Sequence, residues 1–335
     1  MNREIIKYSF IIPVYNRPDE IDELLESMKK QSRQGFEVVI VEDGSEVKCD
    51  DIIKEYSQDL DISYYYKPNS GPGQSRNYGF DRAKGNYCIF LDSDVVLPKD
   101  YFKIISESLE NEYIDAYGGP DKAHESFTHL QKAINYSMTS FFTTGGIRGG
   151  NEKADKFYPR SFNMGYSREV FDSTGGFARM RFGEDVDMSI RILKKGFKTK
   201  LIKEAFVYHK RRTNLRQFFK QVSNSGIARI NLYKRHPQSL KLVHLAPAVF
   251  TIGFFLLLIL GISYSLLFML PIVLYSMLLG IDSSIKNKSL YIGLLSMITG
   301  NMQLLSYGMA FLLAVWHRLI LGGDEFSVFE KNFYK

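Results

Sequence analysis

The sequence predicts an α/β domain with a mostly parallel sheet, followed by a basic amphipathic helix and apolar segments long enough to cross a membrane. Three observations predict this. Over residues 1–210, short apolar runs alternate with amphipathic stretches, and strands alternating with helices build parallel sheets covered on both faces. Charge is absent over the 40 residues from Leu242 to Ile281 and over the 29 from Ser289 to His317. A bilayer span needs about 20 apolar residues. Between the two regions, residues 191–241 carry 15 Lys or Arg and a single acid, Glu204.

Taken in order, Phe10-Ile11-Ile12-Pro13-Val14 reads as a buried strand. Pro18 stands near the start of a helix in which Ile21, Leu24, Leu25 and Met28 recur at i, i+3, i+4 and i+7. Val38 to Val41 is a second strand, Ile62 to Tyr66 a third and Cys88 to Leu91 a fourth, with a helix over Gly73 to Lys84. Phe206 to His209 reads as an edge strand. Sheets of this kind bind ligands beyond the carboxyl ends of their strands. There the sequence places Glu42-Asp43 and Asp92-Ser93-Asp94.

Farther on, Leu215, Phe218, Phe219, Val222, Gly226, Ile230 and Tyr233 share one helical face, ringed by Arg216, Lys220, Arg229, Lys234 and Arg235. A basic amphipathic helix just before apolar runs is expected to lie in a membrane interface beside anionic lipid. The plain alternative is a surface helix packed on the sheet. The apolar tail divides into one span near 242–261 and another near 265–281. A polar loop, Asp282 to Ser289, carries Lys286 and Lys288, and positive residues favour the cytosol. The last run, 290–317, is either one long span or a re-entrant pair broken near Gly300-Asn301.

The averages conceal this division. The chain has 335 residues, a net charge of +6 and 45% apolar residues, and its mean hydropathy is -0.16. Such values exclude a collagen-like, disordered or disulfide-stapled chain. Cys49 and Cys88 are too few for a disulfide framework, and Cys88 reads as a packed thiol within an apolar run. Met1 to Lys7 is polar, without an apolar signal region, so the N-terminal part is expected on the cytosolic side. Nucleic acid is not an expected partner, because the basic stretch leads directly into the apolar runs. A transporter is disfavoured, since those runs carry no acid or base to mark a pathway.

Asp92-Ser93-Asp94 at a strand end is the central chemical clue. Two carboxylates one residue apart can hold a hard divalent ion such as Mg2+ or Mn2+; the plain alternative is an acidic turn before Pro98. Other motifs accompany it in order: Ser9 to Arg17 (SFIIPVYNR), Val38 to Ser45 (VVIVEDGS), Ser70 to Gly79 (SGPGQSRNYG), Phe90 to Asp94 (FLDSD), and Gly176-Phe177 with Gly183-Glu184-Asp185-Val186-Asp187. Over about residues 8–235 the chain closely resembles the inverting family 2 glycosyltransferases of the GT-A fold. The apolar tail resembles that of membrane-attached members.

That resemblance implies a GT-A catalytic domain over 1–212 with a Rossmann-like mixed sheet, an interfacial helix over 213–241, a membrane region over 242–320 and a polar tail over 321–335. It assigns Pro13, Tyr15, Glu42 and Asp43 to the pocket for the nucleotide base and ribose. Many relatives have Asp-Asp where this chain has Glu42-Asp43, so which acid meets the base is open. Arg76, Asn77, Asp92 and Ser93 line the donor site, where Asp92 faces ribose or metal. Asp94 faces the metal, with His209 near metal or diphosphate. Arg211 or Arg212 would neutralise the diphosphate, and Asn163 and Gly165 would line the sugar or acceptor pocket.

Inversion needs a base that takes the acceptor proton. Asp185 fills that role with Glu184 in support; alternatively the two simply begin a helix. Gly145, Gly146, Gly149 and Gly150 around Arg148 suggest either a loop that orders over bound donor or plain flexibility. His124, His129, His236, His244 and His317 show no metal spacing. Processive synthases of this broad family carry Gln-x-x-Arg-Trp after the acidic motif, whereas the single tryptophan here is Trp316. The expected activity is therefore addition of one sugar from a UDP- or GDP-sugar to a hydroxyl of a lipid-linked or glycan acceptor, with inversion and a divalent metal. It would serve envelope polysaccharide or glycolipid synthesis at the bacterial cytoplasmic membrane. A polyprenyl-phosphate sugar transferase and a non-catalytic nucleotide-sugar-binding membrane protein stay as alternatives, and no oligomeric state is implied.

Overall fold

The computed structural model describes residues 5–124, 126–145 and 157–326. These fall into two compact units. One holds the residues up to His124 and those from 157 to His209; the other holds 126–145 and the residues from Lys210.

The first unit begins β1 (Tyr8–Val14), α1 (Pro18–Lys29), β2 (Phe36–Asp43), α2 (Asp50–Tyr56), β3 (Asp61–Lys67), α3 (Pro72–Phe80) and β4 (Tyr87–Leu91). It continues through β5 (Val95–Val96), α4 (Tyr101–Asn111), β6 (Ala116–Gly118) and β7 (Asp121–Lys122). The chain then leaves for α5 (His129–Thr139) and α6 (Phe141–Thr144) of the second unit. It returns as β8 (Asn163–Ser167), α7 (Arg168–Thr174), α8 (Glu184–Lys194), β9 (Thr199–Leu201) and β10 (Val207–His209).

Seven strands form one sheet in the order β3-β2-β1-β4-β8-β6-β9. The first four are mutually parallel, as the alternation of runs predicts. The sheet is mixed because β8 re-enters beside the carboxyl end of β4, with Asn163 opposite Leu91, and so runs antiparallel to both β4 and β6. Successive residues of a strand face opposite sides. Phe10 and Ile12 accordingly join Val38, Ile40, Leu24 and Phe102 in one core, while Ile11 joins Val39, Phe80, Phe90, Val170 and Met188 in the other. Each such side chain contributes about 1.5–3 kcal/mol when fully buried. In α1, Pro18 occupies the first turn, and Ile21, Leu24, Leu25 and Met28 are all buried. Cys88 is the packed thiol expected, free and buried, and burial pushes its pKa up to about 12.

Two elements differ from expectation. The helix expected over 73–84 stops at Phe80. Arg82 and Ala83 donate to Gly79 and Phe80 in tight turns, and Gly85 passes so close to Ser9 that a Cβ there would lie 2.3 Å from its Oγ. The chain must therefore turn into β4. β10 is not an edge strand: it is the middle strand of a second sheet, β5-β10-β7, because His209 pairs with Val95 on one side and Val207 with Asp121 on the other.

The second unit is helical. Besides α5 and α6 it contains α9 (Leu215–Arg235), α10 (Ala246–Ser263), α11 (Leu270–Asn287) and α12 (Leu290–Ala314), which runs on as a π-helical turn, Val315–Ile320. Three segments are long and apolar enough to cross a membrane: Leu242–Ser263, Leu266–Asn287 and Leu290–Ile320. The last passes unbroken through Gly300-Asn301, so the single-helix alternative holds. The polar loop expected over Asp282 to Ser289 is mostly helix, since α11 continues to Asn287. Asp282 stabilises it by accepting from Tyr136 at 2.6 Å and from Lys286, one turn on, at 2.8 Å.

Much of the apolar stripe of α9 is buried within the helical unit. Phe218 and Val222 pack with Ile134 and Met138, and Ile227 and Ile230 with Ala248, Ala310 and Phe311. Gly226 permits the approach: a Cβ there would lie 2.5 Å from the Tyr307 carbonyl oxygen.

Gly165 sits in the sheet core, where a Cβ would lie 2.4 Å from the Tyr117 ring. Gly165→Ala is expected to cost about 1–3 kcal/mol of stability. Thermal unfolding should show the loss as a lower melting temperature.

Candidate active site

Glu42 and Asp43 end β2, and Asp92, Ser93 and Asp94 follow the end of β4. Val14 lies opposite Glu42 in register, and Tyr15 beyond it is 51% exposed. Pro13 is half-buried within β1, opposite Val41. Glu42 turns inward and has no exposure. Its Oε2 accepts the Cys49 N–H at 3.1 Å and the Tyr64 O–H at 2.9 Å, and its Oε1 takes the Ser45 hydroxyl.

Asp43 holds the start of α3. It accepts from the Lys67 ammonium and from the N–H groups of Ser70 and Gly71, each at 2.9 Å. Gly71 there has φ of 90°, which favours glycine. Lys67 goes on to the hydroxyls of Ser70 at 2.7 Å and Ser75 at 3.2 Å.

Arg76, from the second turn of α3, is only 2% exposed. Nη2 donates to Asp92 Oδ1 at 2.6 Å and Nη1 to Glu184 Oε1 at 3.1 Å. The guanidinium also lies 5.4 Å from the centre of the Phe177 ring. Its neighbour Asn77 is committed to the same loop: it donates to the Phe177 carbonyl at 2.9 Å and accepts the Phe177 N–H at 2.8 Å.

Glu184 and Asp185 do open a helix, the first turn of α8, where the helix dipole favours negative charge. They are nevertheless held in unlike states. Burial, then the charge of Asp185, pushes the Glu184 carboxyl up to about 7 against the opposing pull of Arg76. Burial would raise Asp185 too, but Arg160 Nε at 2.7 Å and the Val186 N–H at 2.8 Å outweigh it and hold Asp185 below its ordinary value. Adjacent acids pushed apart in this way suit different proton-transfer roles. Asp187 has a structural partner in Arg191 at 2.8 Å, which also ties down the carbonyls of Thr174 and Gly176.

Asp92, Asp94 and His209 form a third cluster, each offering a ligand atom within 4.8 Å of the others. The small sheet creates it, because pairing of His209 with Val95 brings the imidazole beside Asp94, Nε2 to Oδ1 at 3.1 Å. His209 stacks on Phe162, and Asp121 lies 3.8 Å from its Nδ1. Two carboxylates and one imidazole fit Mn2+. Ser93 is half-buried between the two aspartates.

The remaining expected residues have these places. Asn163 is fully buried, accepting from the Tyr101 hydroxyl at 2.6 Å and donating to the Ala205 carbonyl at 2.8 Å. Gly165 is likewise internal, placed there by the Tyr117 ring. Arg211 belongs to the helical unit, where Nε and Nη2 donate to Asn135 Oδ1 at 3.1 and 2.9 Å; Arg212 is half-buried in that unit. Gly145 ends α6, whereas Gly146, Arg148, Gly149 and Gly150 lie outside the described residues.

The sequence motifs leave out Lys67 and Arg160 and give Phe177 no role of its own. The first stands at the end of β3, where the strand-end rule could have found it. Arg160 carries no such signal.

Residues 9–175 match the family model for Glycosyl transferase family 2. An uncharacterized glycosyltransferase of Rickettsia felis is 34% identical over 142 residues, which is 42% of this chain and 23% of its own length. Glycosyltransferase GlyA of Streptococcus pneumoniae is 35% identical over 175 residues, 52% of this chain and 21% of its own length. The chain thus spans only about a fifth to a quarter of the length of these curated relatives. Among solved structures, the mannosyltransferase PcManGT from Pyrobaculum calidifontis, in complex with GDP-Man and Mn2+, has a TM-score of 0.65 at 15% identity. The match covers 93% of this chain and 88% of that one, and it shows a shared fold.

The acid pair sets a pH dependence. As pH rises from about 4.5 to about 7, the unfolded chain loses the Glu184 proton while the fold keeps it. The contribution of this group to stability therefore falls through that window. Glu184→Gln should flatten the change in melting temperature between pH 5 and pH 8 relative to wild type, measured by paired thermal melts.

Proposed function

The chain belongs to glycosyltransferase family 2, and from that premise we propose that it transfers one sugar from a nucleoside-diphosphate sugar to a lipid-linked acceptor with inversion. The observation that carries this reading is the Arg76 guanidinium, which joins Asp92 of the metal-ligand cluster to Glu184 of the acid pair. Donor end and acceptor end of a transfer site then lie one side chain apart. The GDP-Man and Mn2+ bound by PcManGT support a nucleotide-sugar donor and a divalent metal.

Asp185 takes the acceptor O–H proton as that oxygen bonds to the anomeric carbon. The bond from that carbon to the diphosphate oxygen breaks, and the electron pair leaves with the nucleotide. Arg160 and the Val186 N–H fix the Asp185 carboxylate and leave lone pairs on both oxygens for the acceptor. Glu184, close to half-protonated at neutral pH, limits the negative charge facing the departing diphosphate. Asp92, Asp94 and His209 would hold the metal, which supplies charge neutralisation for the diphosphate.

The three apolar helices support attachment to a membrane, and the Lys and Arg of α9 favour anionic lipid on the cytosolic face of the cytoplasmic membrane. Acceptor and enzyme confined to one surface meet more readily. One observation favours a second acceptor. Arg160 keeps Asp185 a weak base, which suffices for an acceptor that is already ionised, such as a polyprenyl phosphate.

Asp185→Asn should lower transfer to a hydroxyl acceptor by about 10²–10⁴-fold with donor affinity unchanged; a mild loss would identify the lipid phosphate as acceptor. A panel of UDP- and GDP-sugars with Mn2+ should raise the melting temperature of the wild type. Asp94→Asn should remove the metal-dependent part of that rise.

A further inference from the structure

Segment 126–145 comes from the middle of the transferase sequence yet folds with the C-terminal helices. Its helix α5 is fastened by polar contacts on one side: Tyr136 to Asp282 at 2.6 Å, Ser137 to Thr299 at 2.7 Å, and Thr299 to the Ala133 carbonyl at 3.2 Å. The following turn, α6, is equally fixed. Ser140 and Thr143 are buried, and Thr143 Oγ1 donates to the Ser137 carbonyl at 2.6 Å. With those two faces held inward, Phe141 and Phe142 point outward, 69% and 40% exposed.

Two adjacent exposed phenylalanines on an anchored turn are a poor surface for water. Their position says what covers them. Phe142 is joined to α11 by the Tyr275 hydroxyl, which donates to its carbonyl at 2.9 Å. Residues around Tyr275 on α11 are exposed and apolar, Leu274 at 55% among them. The Phe pair is therefore continuous with the outer surface of a helix long and apolar enough to cross a membrane.

We propose that Phe141 and Phe142 form a membrane-inserting wedge, which seats this segment of the transferase sequence in the acyl-chain region of the bilayer. The proposal rests on the reading of Leu266–Asn287 as a membrane segment. Its partner is lipid, because the surface it extends is apolar on a spanning-length helix.

The test uses the full chain with its single tryptophan removed by Trp316→Phe. Phe141→Trp or Phe142→Trp, and separately Leu274→Trp, are introduced and reconstituted in phosphatidylcholine–phosphatidylglycerol vesicles. The acyl chains are either plain or brominated. Tryptophan at 141 or 142 should lose fluorescence in brominated lipid as strongly as tryptophan at 274, and should resist aqueous iodide. If position 274 is quenched by bromine while 141 and 142 respond only to iodide, the wedge is refuted and the membrane helix stands. If 274 is not quenched either, both readings fall together.

Discussion

A buried guanidinium must be paired, and the candidate site is organised by that requirement. Arg76 is enclosed, so its charge needs carboxylates on both sides, and they come from Asp92 and Glu184, 16 and 108 residues away in the chain. Removing one partner of a buried pair typically costs about 3–5 kcal/mol, since the other charge is left stranded. The surrounding elements serve this arrangement. Asp43 and Lys67 pin the first turn of α3, Asn77 grips the Phe177 backbone, and the loop they hold delivers the acids of α8. The strand-end acids that look like ligand groups in the sequence are thus partly builders. Glu42 and Asp43 shape the pocket, and Asp92 divides its attention between Arg76 and the cluster with His209.

The acid pair shows how neighbouring carboxyls acquire different chemistry. Both lie on one helix turn and both are buried, so desolvation alone would treat them alike. The difference comes from their cations. The Arg160 guanidinium donates to Asp185, whereas Arg76 donates to both Glu184 and Asp92. Asp185 is held below its ordinary value and Glu184 is raised above its own.

Much of this was legible in the sequence, where a local signal existed. The parallel core strands, α1 with its apolar face, and the acids beyond β2 and β4 all follow from patterns a few residues long. So does the presence of three apolar helices, although composition could not decide between one span and two over 290–317. What stayed hidden depends on pairing between distant segments. Nothing around Arg160 marks it as the partner of Asp185, because that contact exists only once β8 has folded back beside β4. A basic helix with an apolar stripe reads as a membrane-surface helix until Gly226 is seen to admit the backbone of α12. His209 was placed on an edge strand because three residues cannot reveal that β5 and β7 flank it.

The excursion of α5 and α6 has a consequence for biogenesis. The chain leaves the sheet after β7 and returns at β8, so the helices made in between cannot find their partners when they emerge. Tyr136 waits for Asp282, 146 residues later, and Ser137 for Thr299, 162 residues later. At a synthesis rate of 5–20 residues per second this is a delay of roughly 10–30 s. Throughout it, an amphipathic helix and two bare phenylalanines hang from a transferase domain that can otherwise close its sheet. Targeting of the ribosome to the membrane before the last helices are made would shelter that segment, and the order of the sequence makes such timing valuable.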